Sequence, residues 1–176
     1  MEKRILFAGN PDQGILYAGQ TLIEALVEAG WRAACVDALQ QGNLSHCTIL
    51  IGDEPLGRSA TMPEIGLLAS LPAANAFERA IRPGGLLVLN GSAIRRPVLR
   101  RDVDVIMVPV EEDAEDPTLA TLTLLGALVA LTGWAPVERV LSVVNKSCVG
   151  NTACRAFRQG VEFVEEMLES AAPEAA

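Results

Sequence analysis

Short apolar runs and longer amphipathic stretches alternate along the chain, and this rhythm predicts strands and helices in turn. Ile5-Leu6-Phe7-Ala8 reads as a first strand, followed by a glycine-bounded turn from Gly9 to Gly14 and an amphipathic helix from about Ile15 to Ala29. Gly30 stops that helix. Ala33 to Asp37 then reads as a second, buried strand, and Ala38 to Leu44 as a polar turn. His46 to Ile51 is a third strand, closed by the turn Gly52-Asp53-Glu54-Pro55. Ile65 to Ala69 predicts a fourth strand, and Pro72 suits the first turn of a helix running to about Ile81.

Arg82-Pro83-Gly84-Gly85 is a strong turn signal ahead of the apolar strand Leu86 to Asn90, and Val103 to Val108 is another such strand. The acidic stretch Glu111 to Asp116 reads as surface. From Thr118 to Leu131 the pattern is helical but apolar on nearly every face, so more than one neighbour must cover it. Asn151 can cap a last helix to about Glu169, with Ala153, Phe157, Gly160, Val161, Val164 and Leu168 on its apolar face. No repeat or linker interrupts the series. The expectation is an α/β protein: a single three-layer α/β/α domain over residues 1–170, with a mostly parallel sheet, a candidate antiparallel edge and a frayed tail at 171–176.

Composition sharpens this picture. The chain has 176 residues, half of them hydrophobic, enough for one well-filled core. Few aromatics are present, so Leu, Val, Ile and Ala must fill it, as in a helix-covered parallel sheet. A net charge of −8 argues against nucleic acid or an anionic membrane as the main partner. Met1-Glu2-Lys3-Arg4 leads straight into a strand without a signal-peptide pattern, and the Leu119–Leu131 run is too short to span a bilayer. The expected location is the cytoplasm.

Chemistry is harder to find. A strand, a glycine turn and a helix N-terminus usually make an anion site. Here Pro11 removes an N–H donor and Asp12 puts a carboxylate where the anion would sit. At about 5 Å and an effective dielectric of about 20, that charge repels a unit of phosphate charge by about 3 kcal/mol. The helix dipole returns only about 0.3–1 kcal/mol. The run is also no P-loop, because Ile15-Leu16 stand where Lys and Ser/Thr are required.

Asp37 closes the second strand, where a dinucleotide-binding fold keeps its ribose acid, but the glycine fingerprint is missing and a surface turn or strand cap is favoured. The only histidine, His46, sits beside Cys47 on a strand, so the two side chains point to opposite faces, and a structural hydrogen bond is favoured over a general base. Cys35, Cys47, Cys148 and Cys154 lack C-x-x-C spacing and read as reduced, buried structural thiols rather than metal ligands. Arg95, Arg96, Arg100 and Arg101 are the one cation cluster; they suit ligand phosphates, an acidic patch on another subunit or a solvated loop. Arg155 and Arg158 lie in the first turns of the last helix, as an exposed pair or as partners for a carboxylate. The Arg82–Leu89 run resembles the late strand of class I methyltransferases, but Pro11 and Asp12 would crowd that cofactor.

One resemblance covers nearly the whole chain in order. It runs through Ile5-Leu6-Phe7-Ala8-Gly9, Gln13 to Gly19, Cys47 to Gly57, Ile81 to Ser92, Asp104 to Pro109, Leu124 to Leu128 and the helix around Asn151 to Gly160. In these segments the chain resembles the gamma subunit, or fused gamma domain, of the 2-oxoacid:ferredoxin oxidoreductases. That group acts on pyruvate, 2-oxoisovalerate, 2-oxoglutarate or indolepyruvate. The departures lie in polar loops. The family's Gly-x-Gly-Gly-Gln-Gly has Pro11 and Asp12 in place of its inner glycines, its Arg-Gly-Gly turn appears as Gln41-Gly42-Asn43, and the Asn opening its buried helix falls on Thr121.

The resemblance implies a subunit of a heteromeric complex that oxidatively decarboxylates a 2-oxoacid with coenzyme A and passes electrons to ferredoxin. It implies alpha and beta partner subunits and a ferredoxin-like delta subunit or domain. Thiamine diphosphate and [4Fe-4S] clusters would sit in those partners and no cofactor in this chain. No catalytic residue is implied here. The loops expected to face coenzyme A are Gly9, Gln13 and Gly14 together with Gln41, Gly42 and Asn43. The other class left open is a binding or scaffold protein of the same fold that has lost the ligand, with a Rossmann-like nucleotide-binding protein or methyltransferase behind it.

Overall fold

The computed structural model describes residues 2–53, 61–113, 115–147 and 151–172. Among them, six strands form one sheet in the order β2-β3-β1-β4-β5-β6. The strands are β1 Lys3–Gly9, β2 Arg32–Gln41, β3 Leu44–Gly52, β4 Ile65–Leu68, β5 Leu86–Asn90 and β6 Asp104–Val108. β1, β4, β5 and β6 run parallel, while β3 pairs antiparallel with both β1 and β2. The four parallel strands therefore end together, and the loops that follow them start at one edge of the sheet.

Side chains alternate across the pleat. Ile5, Phe7, Ile49, Leu67 and Val88 enter the larger core, which is covered by helices α1 (Ile15–Glu28) and α3 (Thr118–Thr132). Leu6, Ala8, Leu68, Leu87 and Leu89 enter a smaller core under α2 (Leu71–Phe77) and its 3-10 extension Glu78–Ala80. Ser70 caps α2 by accepting from the Ala73 N–H, and Pro72 occupies its first turn, as predicted. Helices α4 (Val137–Ser147) and α5 (Asn151–Ala171) form an outer tier over α1 and α3. The result is an α/β domain with helices on both faces of the sheet.

α3 is buried from Leu119 to Val129 because the sheet lies on one side and α5 on the other. Two glycines allow the helices to approach this closely. A Cβ on Gly160 would collide with the Thr123 carbonyl, and one on Gly126 with the Phe157 carbonyl. No described helix is long and apolar enough to cross a membrane.

Several expectations need correction. The second strand is longer than Ala33–Asp37 and mostly exposed, because it lies at the sheet edge beyond most of the helical cover. The polar turn shrinks from Ala38–Leu44 to Gly42–Asn43, since Gln41 pairs directly with Leu44 and Gly42 takes the positive φ of 61° that a two-residue hairpin demands. The strand at 103–108 starts at Asp104 and is a half-exposed edge. Helix α4 went unanticipated, although Val140, Leu141, Val143 and Val144 have helical spacing behind Pro136. Leu168 is exposed because α5, at 21 residues, outruns the 15-residue α3 it packs on. α5 continues through Ala171, past the expected helix end near Glu169. Glu54 and Pro55, Cys148 and residues 173–176 lie outside the described residues.

Candidate functional site

The loops after the parallel strands meet at one edge of the sheet, the place where open α/β folds hold ligands. The first of them closes on itself. Pro11–Gln13 form a 3-10 turn, and the buried Gln13 side chain is committed at both ends. Its Oε1 accepts from the Asn10 N–H at 2.8 Å and its Nε2 donates to the Ala69 carbonyl at 3.2 Å. Gly9 packs against Gln13 and Ile15 so tightly that a Cβ would lie 2.7 Å from Gln13 Oε1. Gly14 is left-handed, φ 64°, and a Cβ there would meet Thr118 Cγ2 at 2.6 Å. The Gln13 amide thus crowds the loop at Gly9, and the Thr118 side chain crowds it at Gly14. Pro11 and the exposed Asp12 form the outer surface.

A polar weave joins this loop to the neighbouring strand ends. Asn90 is buried; its Nδ2 donates to the same Ala69 carbonyl at 3.1 Å, and its Oδ1 accepts from the N–H groups of Ser92 and Ala93. Ser92 Oγ donates to the Val110 carbonyl at 2.6 Å and accepts from the Val110 N–H at 3.1 Å. These bonds tie β1, β4, β5 and β6 together at their ends. Sequence reasoning missed Asn90 and Ser92 as positioning residues. The available signal was a polar Asn-Gly-Ser directly after an apolar strand.

The second expected loop reaches the same edge. Gly9 is paired with Ser45 across β1 and β3, and Gln40 lies opposite Ser45 in β2. The exposed tip Gln41-Gly42-Asn43 therefore stands just past the point where the chain leaves β1, two strand spacings or about 10 Å to the side. The fold brings the two loops to one edge, with Gln13 facing inward and the tip residues facing solvent.

The arginine cluster has other work. Arg96 Nη2 donates to the buried Glu78 carboxylate at 2.7 Å, and its Nε donates to Asn75 Oδ1. Arg100 caps the end of the α2 segment, donating to the carbonyls of Glu78 (2.9 Å) and Ile81 (2.6 Å), and pairs with Asp102 at 2.7 Å. The Arg100 guanidinium holds the Asp102 carboxyl below its usual range. These two cations latch residues 91–103 onto α2 and are not free for phosphate.

His46 forms the structural contact expected of it. Its Nε2 lies 3.2 Å from Asp37 Oδ2, and its ring leans on Phe77. Asp37 sits within β2 at a bulge rather than at a strand end. The cysteines differ from expectation: Cys47 is buried and Cys154 half-buried, but Cys35 is exposed, because β2 is an edge. Arg155 and Arg158 line a groove of about 840 Å³ between α4 and α5, together with Glu138 and Glu162. Among the described residues no cluster of three or more His, Cys, Asp or Glu could hold a metal ion.

Comparison with known proteins bears on this architecture. The family described as pyruvate ferredoxin/flavodoxin oxidoreductase matches residues 4–163. The ketoisovalerate oxidoreductase subunit VorA of Methanothermobacter marburgensis is 29% identical over 137 residues; the match covers 74% of this chain and 28% of that protein, so the chain spans less than a third of that relative's length. The gamma subunit of a keto/oxoacid ferredoxin oxidoreductase from Geobacter sulfurreducens PCA superposes with a TM-score of 0.81 at 21% identity, covering 94% of this chain and 98% of that one. The 2-oxoglutarate:ferredoxin oxidoreductase from Magnetococcus marinus, solved with 2-oxoglutarate, coenzyme A and succinyl-CoA bound, superposes with a TM-score of 0.79 at 18% identity. That match covers 99% of this chain and 32% of that one.

Proposed function

The chain belongs to the pyruvate ferredoxin/flavodoxin oxidoreductase family, and from that premise we propose that it serves as the gamma subunit of a multisubunit 2-oxoacid:ferredoxin oxidoreductase. The complex would remove CO₂ from a 2-oxoacid, join the acyl group to coenzyme A and deliver two electrons to ferredoxin. Thiamine diphosphate and [4Fe-4S] clusters are assigned to alpha, beta and ferredoxin-like delta partners. This chain supplies a rigid wall, and its part toward coenzyme A is to present the outer surface of the Gly9–Gly14 loop and the Gln41–Asn43 tip. The observation that carries this reading is the convergence of both loops on the edge where the parallel strands end.

Gln13 and Gly9 act here through shape. The Gln13 amide holds the loop closed and crowds its inner side at Gly9. A coenzyme A phosphate would therefore pass over Asp12 and the tip amides instead of sitting in a glycine nest. Asp12 is exposed, so screening cuts its repulsion well below the ~3 kcal/mol of a half-buried charge.

The crowded loop favours one second reading, a wall of the same complex that no longer touches coenzyme A. Calorimetric titration of coenzyme A into the reconstituted complex separates the two. Contact predicts that Asp12→Gly tightens binding roughly three- to tenfold and that Asn43→Ala weakens it by a similar factor. Unchanged affinity in both variants establishes the second reading.

A further inference from the structure

Helix α5 carries its charges in two blocks. Its only cations, Arg155 and Arg158, lie in the N-terminal half, and its acids, Glu162, Glu165, Glu166 and Glu169, all lie in the C-terminal half. The helix dipole disfavours that order. An arginine four residues ahead of a glutamate, as Arg158 is ahead of Glu162, is also the weaker orientation of such a pair. Among the described residues the ion pairs fall elsewhere, and neither arginine has a carboxylate partner.

At about 100° per residue, Arg155, Arg158, Glu162, Glu166 and Glu169 fall on one stripe, opposite the buried Phe157, Gly160 and Val164. All five are exposed. Two grooves flank the stripe. The groove of about 840 Å³ lies between α4 and the N-terminal half of α5; Arg155 and Arg158 line it, with Leu141, Glu138 and Glu162. A second, of about 360 Å³, lies between the C-terminal half and the segment Pro109–Glu111, and Phe163, Glu111, Glu162 and Glu166 line it. Arg158 and Phe163 are on opposite flanks of the stripe, so the two grooves lie diagonally across the helix.

We propose that this face is a self-complementary docking surface, and that its occupant is the α5 helix of a second copy of this chain, lying antiparallel about a two-fold axis level with Gly160 and Val161. In that register Arg155 of one copy meets Glu166 of the other and Arg158 meets Glu162, and the symmetry repeats both pairs. A helix crossing obliquely follows both grooves. Its acidic half enters the groove lined by the arginines, and its basic half enters the groove lined by the three glutamates. Each N-terminus then lies beside the partner's C-terminus, which the dipoles favour. A parallel crossing would set arginine on arginine and glutamate on glutamate.

The surface is small. One helix and two groove walls from each copy fall below about 1,200 Å² in total, the class of weak, reversible contacts. The net charge of −8 on each chain adds repulsion, but salt screens it over about 8 Å while the ion pairs act at contact. The expected dissociation constant is on the order of 10–100 µM.

The test is sedimentation velocity on the full chain, from about 5 to about 300 µM at about 150 mM salt. The wild type should pass from monomer to dimer across this range. Arg155→Glu with Arg158→Glu puts acids at all four pairing positions, and Glu162→Arg with Glu166→Arg puts arginines there. Each double variant alone should dimerise at least about tenfold more weakly. An equimolar mixture should form a one-to-one heterodimer at least as tight as the wild-type dimer, because all four pairs then form. Both exchanges agree with the helix dipole at exposed positions, so unfolding midpoints should not fall. A wild type that stays monomeric at the highest concentration overturns the proposal, and that criterion stands even where a variant misfolds. A dimer that survives either reversal, or a mixture that does not pair, overturns it too. No readout needs coenzyme A or another kind of subunit, so each stands apart from the proposed role.

Discussion

Helix α3 and strand β2 are both built largely from apolar and small residues, and they meet opposite fates. α3 is enclosed by sheet, α1 and α5 along eleven consecutive residues from Leu119 to Val129. β2 has β3 on one side and open solvent on the other, and Val36 and Leu39 are 46% and 51% accessible. Local hydrophobicity does not separate the two. The number of neighbours does: α3 has a layer on each side, and the outer half of β2 extends past the helices that cover the rest of the sheet. An edge strand with a bulge, a lone acid and a two-residue turn is also a poor template for further pairing.

The comparison breaks first at the glycine crossing. Gly160→Ala or Gly126→Ala places a methyl against a backbone carbonyl of the facing helix, and backbone cannot rotate aside. Either should cost at least about 5 kcal/mol, a large part of the stability of an ordinary domain. Urea unfolding followed by circular dichroism gives the figure; a loss below about 1 kcal/mol would mean that the helices do not pack this closely.

The next effect sits on β3, the strand that pairs with β2. Cys47 has its pKa raised from 9.0 to about 12, so the folded state holds its proton where the unfolded state releases it. The stabilisation is complete below pH 9 and lost as pH climbs through 12, by up to about 4 kcal/mol across three units. Unfolding midpoints at pH 8, 9, 10 and 11 should fall more steeply for the wild type than for Cys47→Ala. Parallel curves would show that the thiol is hydrated.

The smallest effect sharpens the comparison from the open side. Leu39→Ser on β2 should change the stability of the chain by no more than about 0.5 kcal/mol, because the side chain is already half in water. A loss above about 1.5 kcal/mol in the same urea assay would place Leu39 in a packed core.

How much of this was legible in the sequence varies by region. The strands at Ile5–Ala8, His46–Ile51 and Leu86–Asn90 and the helices after Gly14 and Thr118 follow from period and glycine punctuation, and all are present. α4 was missed because its short apolar face is diluted by Glu138, Arg139 and Lys146. At the candidate site, the Gly9–Gly14 turn and the Gln41–Asn43 turn were visible as turns. That Gln13 points inward and Arg96 and Arg100 grip α2 was not visible, since those partners lie 18 to 56 residues away.

By itself the sequence determined most of the element types, the all-round burial of α3, the loss of an N–H donor at Pro11 and the collinear segments that carry the family. These depend on spacing along the chain and on residue chemistry, which are local properties. The tertiary structure alone decided that β2 is an exposed edge and that two glycines face each other across α3 and α5. Each of those depends on which segments become neighbours, and that is set by the competition of the whole chain for a single core.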